Sequence, residues 1–262
     1  MTTPPKTLLL FLGCAALLAG SYLTLQNLKE TMETQLADRL TQAVGHISNE
    51  SLEVRLGGIH ALGRIAAVSE RDYGPIMHIL ITYVRERTSI KKGQALKDPP
   101  QRLAPDIQAA LDVIGRRRHS YQEGERQRLD LRGTDLRRAN LAGAKFAGAI
   151  LSEVHLEEAN LAGIHLEDAI LRETHLEYAN LTEAEMDRTF LLNGRLQGTR
   201  LRAADLRGAY LVGARFDEAD LLGADLTGAV GLTWDQLKTA RKDNKTRLPD
   251  YLRLPTRASG AR

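Results

Sequence analysis

Two histidines, His155 and His175, stand twenty residues apart, and the same interval separates Asn140 from Asn160 and Asn160 from Asn180. If the chain coils with that period, the histidines stack at about 4.8 Å, one inter-strand spacing. That is close enough to titrate together or to share a metal ion. A metal needs a third ligand, and His165 falls two sides away around such a coil. The pair therefore reads as structural, with no metal expected, and the asparagines read as a hydrogen-bonded ladder. No nucleophile and base pairing, Gly-rich phosphate loop or paired-carboxylate signature occurs, so neither catalysis nor a cofactor is expected. A lone Cys14 excludes an intramolecular disulfide.

The element that positions these residues has a period of five. From Leu131 to Leu226 a large apolar residue fills every fifth position, twenty in succession, seventeen of them Leu and the others Phe146, Met186 and Phe216. Neither a helix nor a flat strand repeats in this way. The residue two places earlier is Ala in twelve of the twenty cases. With a second period of twenty, four five-residue sides make one turn of a square β-solenoid, each Leu pointing inward and each Ala letting the chain pass close to the axis. About five coils fit, a rod about 24 Å long, with the leucine ladder as its core at about 1.5 to 3 kcal/mol gross per side chain. The residues just before the central Leu include Ile150, Ile170, Phe190, Tyr210 and Val230, one per coil and outward, with Leu192 and Val212 nearby in sequence. Such a greasy strip suits a protein interface, unless the chain's own helices or tail cover it.

The flanks differ in kind. Thr7 to Leu25 carries no charge over 19 residues and holds eight Leu, enough for about 28 Å of helix and so for a bilayer core. A transmembrane helix is expected within residues 1–27. A cleaved signal peptide is the rival, but no small-x-small site follows, and Leu12-Gly13-Cys14 has too short an apolar run before it for a lipoprotein signal. An α-helical region follows over 28–120. Leu28, Met32, Leu36, Leu40, Val44 and Ile47 mark one helix, a second follows Ser51, a third opens at Pro75, and a fourth spans Pro105 to Arg118. Arg116, Arg117 and Arg118 read as the solvated end of that fourth helix, and 88–103 as an exposed loop. Beyond the solenoid domain, taken as 121–231, Thr233 and Gln236 have capping-box spacing, predicting a cap helix over 232–242 that covers the last coil with Leu232, Trp234 and Leu237. Residues 243–262 form a basic tail. Net charge is −5 over 128–230 and +5 over 231–262; neither field is extreme.

The units Ala139-Asn140-Leu141-Ala142-Gly143 and Ala219-Asp220-Leu221-Leu222-Gly223 resemble the repeat of the pentapeptide-repeat protein family. That resemblance implies a right-handed quadrilateral β-helix, so the fold class is mainly β, preceded by the anchor and helices. Positions before the central residue depart from the family's Asp or Asn between Phe190 and Arg200. Leu52-Glu53-Val54-Arg55-Leu56-Gly57-Gly58-Ile59, Ser69-Glu70-Arg71-Asp72 and Thr246-Arg247-Leu248-Pro249-Asp250-Tyr251-Leu252 resemble bacterial membrane-anchored members of unknown function. They imply a single-pass protein of the bacterial inner membrane with its bulk in the cytoplasm. The expected function is a non-enzymatic, membrane-tethered protein-interaction scaffold, whose partner is another protein or a second copy. The family also implies an alternative, a DNA mimic that binds or protects a type II topoisomerase. A weakly acidic rod carrying twelve basic residues fits it poorly, and nucleic acid is not an expected partner.

Overall fold

The computed structural model describes residues 26, 34–90, 96, 98, 101–119 and 127–252. The apolar segment 7–25 lies outside them. Among the described residues no helix is long and apolar enough to cross a membrane. The chain divides into two compact units, Met1–Val68 and Ser69–Arg262.

In the first unit, α1 is described over 34–47 and α2 covers Leu52–Val68. Ser51 starts α2, its hydroxyl accepting the Val54 N–H at 3.4 Å. Ala43 and Ile47 of α1 and Ile59 and Leu62 of α2 are buried. A Cβ at Gly58 would sit 2.8 Å from the Ala43 carbonyl oxygen, so the close approach of α1 and α2 requires glycine there.

In the second unit, α3 covers Glu70–Thr88 and α4 covers Pro105–Gly115. Ser69 caps α3 by accepting the Asp72 N–H at 3.2 Å. The cap stabilises a first turn upstream of Pro75, so the helix does not open at the proline as expected but runs through it. Tyr83 donates to the buried Asp106 at 2.6 Å, tying α3 to α4.

The solenoid follows from the period of twenty. Parallel bridges run in four columns: Asp130–Ile150–Ile170–Phe190–Tyr210–Val230, then the columns from Asp135 to Arg215, Asn140 to Asp220 and Lys145 to Asp225. Four columns mean four sides, and Asp130 to Val230 spans five coils. Each corner is a type II turn: Ala139 N–H donates to Leu136 O at 3.0 Å, and Arg138 between them has φ 62°. Among the described residues eleven non-glycines hold positive φ, a strain of about 1 kcal/mol or more apiece that inter-coil bonds such as Leu136 N to His155 O at 2.9 Å offset. Each five-residue side has two turn residues and two inward residues, which leave one residue per side for bridging. The β contribution is therefore a set of single-residue bridges, and among the described residues no extended strand forms. Leu171, Leu176, Phe146 and Phe216 point inward with no exposed surface.

Both ends are closed. At the first coil, Asp135 N–H donates to Thr88 O and Ile90 N–H to Gly133 O, each at 2.8 Å. The Gln108 side chain of α4 mimics a peptide group, accepting from Asn140 N at 2.9 Å and donating to Asn140 O at 2.7 Å. Lys145 N–H donates to Gly115 O at 2.9 Å. Arg117 is not a solvated helix end: α4 stops at Gly115, and the buried guanidinium donates to Lys145 O at 2.7 Å and Ala147 O at 2.6 Å. Thus α3 and α4 close the first coil of the solenoid within the second unit.

At the last coil the expected cap helix over 232–242 does not form. The Thr233–Gln236 capping box is present, with Gln236 N donating to Thr233 Oγ1 at 3.3 Å. After one turn, Arg241 and Arg247 bridge Asp220 and Asp225, drawing the chain into an irregular further coil. Gln236 caps two carbonyls, Leu211 O at 2.9 Å and Ala214 O at 2.7 Å. Leu232 and Leu237 are buried as expected, but Trp234 remains 46% exposed. With pairing groups occupied at both ends, the rod offers little template for edge-to-edge association.

Candidate functional site

The apolar column lies on one side of the rod because Ile150, Ile170, Phe190, Tyr210 and Val230 are successive members of one bridge column. Ile150 and Ile170 are half-buried, and exposure then rises through Phe190 at 37%, Tyr210 at 41% and Val230 at 47%. The Phe190 and Tyr210 rings stack with centroids 4.7 Å apart and planes within 1°. Leu192, half-buried, and Val212, 52% exposed, occupy the turns that follow them. Toward the C-terminal end Tyr251 joins the patch: its ring is exposed while its hydroxyl donates to Ala229 O and accepts from Leu232 N, both at 3.0 Å. The turns preceding Phe190 and Tyr210 are charged and self-paired. Arg188 holds Asp168 at 3.0 and 2.8 Å and also pairs with Asp187, and Arg207 holds Asp205 at 2.8 Å. The apolar strip is thus bordered by ionic groups that already have partners.

The next column carries His155 and His175, whose rings lie 3.9 Å apart. The third group that the spacing argument missed is Glu157, at the following turn. Its Oε1 lies 2.7 Å from His155 Nδ1 and 3.5 Å from His175 Nδ1. Burial works to raise the Glu157 carboxyl, but hydrogen bonds from His155 and His175 and from backbone bring it down to about 2. The tripeptide His-Leu-Glu recurs at 155–157, 165–167 and 175–177, a signal that could have found the cluster. His165 lies in a different column, as expected, beside Glu167 and Glu185 at 3.4 and 3.1 Å. There burial raises the Glu167 carboxyl. The asparagine ladder is present, Asn160 Nδ2 donating to Asn140 Oδ1 at 3.0 Å and Asn180 Nδ2 to Asn160 Oδ1 at 3.2 Å.

An open cleft of about 1140 Å³ lies between α3 and the start of the solenoid, lined by Tyr73, His78, Arg85, Arg128, Asp130 and Ile150 among others. Its two carboxylates are each held by cations: Glu70 by His119 and the neighbouring Arg118, both at 3.4 Å, and Asp130 by Arg85 at 3.7 Å and the neighbouring Arg132 at 3.0 Å. They do not converge on one point as reacting groups must.

Four bridge columns, inward leucines and five-residue sides define a quadrilateral β-helix. Residues 127–152, 149–188 and 195–230 match the family model for pentapeptide repeats, in eight copies. Through this segment the chain belongs to the pentapeptide-repeat family. Among solved structures it is similar to a pentapeptide repeat protein, Rfr23, from the cyanobacterium Cyanothece 51142, at 28% identity over 45% of this chain and 87% of that one, with a TM-score of 0.23. A pentapeptide repeat protein of the Arabidopsis thaliana thylakoid lumen is 30% identical over 45% and 80% of the two chains, TM-score 0.26. HetL, a pentapeptide repeat protein involved in heterocyst differentiation regulation in Nostoc sp. strain PCC 7120, is 30% identical over 44% and 63%, TM-score 0.22. None of the curated proteins matches this chain.

Proposed function

We propose that this chain is a non-enzymatic protein-interaction scaffold, tethered to the bacterial inner membrane by residues 7–25 with its bulk in the cytoplasm. The uncharged segment supports the tether. The observation that carries the docking face is the Phe190–Tyr210 stack, two aromatic rings held outward in register although the same fold buries Phe146 and Phe216 completely. Aromatic side chains in such a setting commonly anchor interfaces, each worth about 1 kcal/mol or more. The DNA-mimic alternative gains nothing from the charges. Asp168, Asp205, Asp220 and Asp225 each face an arginine, at 2.8, 2.5, 2.7 and 3.3 Å, so those carboxylates are neutralised locally.

The double variant Phe190→Glu/Tyr210→Glu tests the face. Both positions are exposed, so the thermal transition is expected to stay cooperative. Sedimentation velocity of the parent is expected to show association, of itself or with its captured partner, that the variant loses. Identical profiles for parent and variant in both settings would remove the column from the account.

A further inference from the structure

We propose that His155, Glu157 and His175 form a binding site for a divalent transition metal ion of the zinc class. The donor set is two imidazoles and one carboxylate, all partly buried, with ligand atoms lying within 4.8 Å of one another. Two coils build it: His155 and Glu157 flank one inward Leu156, and His175 stands directly above His155 in the same bridge column. The solenoid thus holds the ligands in place before any ion arrives, since each backbone segment is fixed by bonds such as Leu156 N to His175 O at 2.8 Å.

Tetrahedral zinc with bonds near 2.1 Å places its ligand atoms about 3.4 Å apart. Glu157 Oε1 and His175 Nδ1 are already 3.5 Å apart. His155 Nδ1, at 2.7 Å from the same oxygen, sits at hydrogen-bond distance. Coordination through Nδ1 uses the neutral ring with its proton on Nε2, and requires only that this contact open slightly. The second carboxylate oxygen, Glu157 Oε2, is buried and has no hydrogen-bond partner. An acceptor in that state is what a cation stabilises. Paired imidazoles select zinc, cobalt, nickel or copper over magnesium and calcium, which prefer oxygen donors. Three protein ligands leave the fourth position to water. The cluster His165, Glu167 and Glu185 is the weaker site, with one imidazole and an exposed Glu185.

The test is calorimetric titration of Zn²⁺ into the untagged full chain in dodecyl maltoside micelles, after dialysis against a chelator. The parent is expected to take up zinc at this site. His155→Ala/His175→Ala and, separately, Glu157→Gln are expected to weaken binding at least about tenfold, whereas His165→Ala/Glu185→Ala leaves it unchanged. Substituted Co²⁺ is expected to give visible absorption in the parent that Glu157→Gln alters. Melting curves in chelator report whether each variant folds; if the double histidine variant does not, Glu157→Gln, nearly isosteric, carries the test. Absence of binding by the parent, an unchanged affinity in folded Glu157→Gln and His155→Ala/His175→Ala, or a loss that follows His165 and Glu185 instead would overturn the site.

Discussion

Leu171→Asp is expected to abolish the cooperative thermal unfolding of the solenoid. Leu171 has no exposed surface and belongs to the unbroken inward ladder. Its neighbours along the rod, Leu151 and Leu191, are likewise buried. Removing the leucine forfeits about 2 kcal/mol or more of burial, and an unpaired buried carboxylate adds a penalty of several kcal/mol even if it protonates. Together these approach the whole stability of a typical domain, about 5 to 15 kcal/mol. In a solenoid each coil is stabilised by its neighbours, so a defect at the third coil separates the coils on either side. Circular dichroism against temperature checks this, with Leu171→Met as the volume-conserving control. A Leu171→Asp melting curve like that of the parent would contradict the inward assignment.

Arg117→Ala is expected to destabilise the same rod from its N-terminal edge, by about 2 to 4 kcal/mol. Arg117 is only 2% exposed, and its guanidinium donates to two carbonyls of the first coil, Lys145 O and Ala147 O. Alanine leaves a cavity and two orphaned acceptors beside Gly115, where a Cβ would already lie 2.9 Å from Ala144. Arg117→Lys keeps the charge but not the planar fork, and should recover only part of the loss. Denaturant midpoints measure the effect. Equal midpoints for Arg117→Ala and the parent would show that Arg117 does not cap the coil.

What could be read before folding divides along a physical line. The leucine period and the interval of twenty are consequences of a regular coil, so each inward position and each stacked column follows from arithmetic on residue numbers. The Asn140, Asn160 and Asn180 ladder and the Ile150 to Val230 column are both of this kind. The ends of the rod are not periodic. No periodicity marks Gln108, whose role appears only when Asn140 is placed opposite it, and Arg117 reads as a helix-end cation until α4 stops at Gly115. The Thr233–Gln236 capping box was legible, but its continuation into a helix competed with pairing of Arg241 and Arg247 to the last coil, and the ladder won. Glu157 stands at no interval of twenty from either histidine; it is the turn that brings a residue two positions on beside the same column.

The claim that the apolar column is a docking face is tested most directly by in-cell crosslinking and pull-down from isolated membranes. The C-terminally tagged parent is compared with Phe190→Glu/Tyr210→Glu. The account predicts that one defined protein, or a second copy of the chain, is crosslinked to the parent and absent from the variant, with both chains still in the membrane fraction. Recovery of the same proteins by both chains, or of none by either, would contradict it.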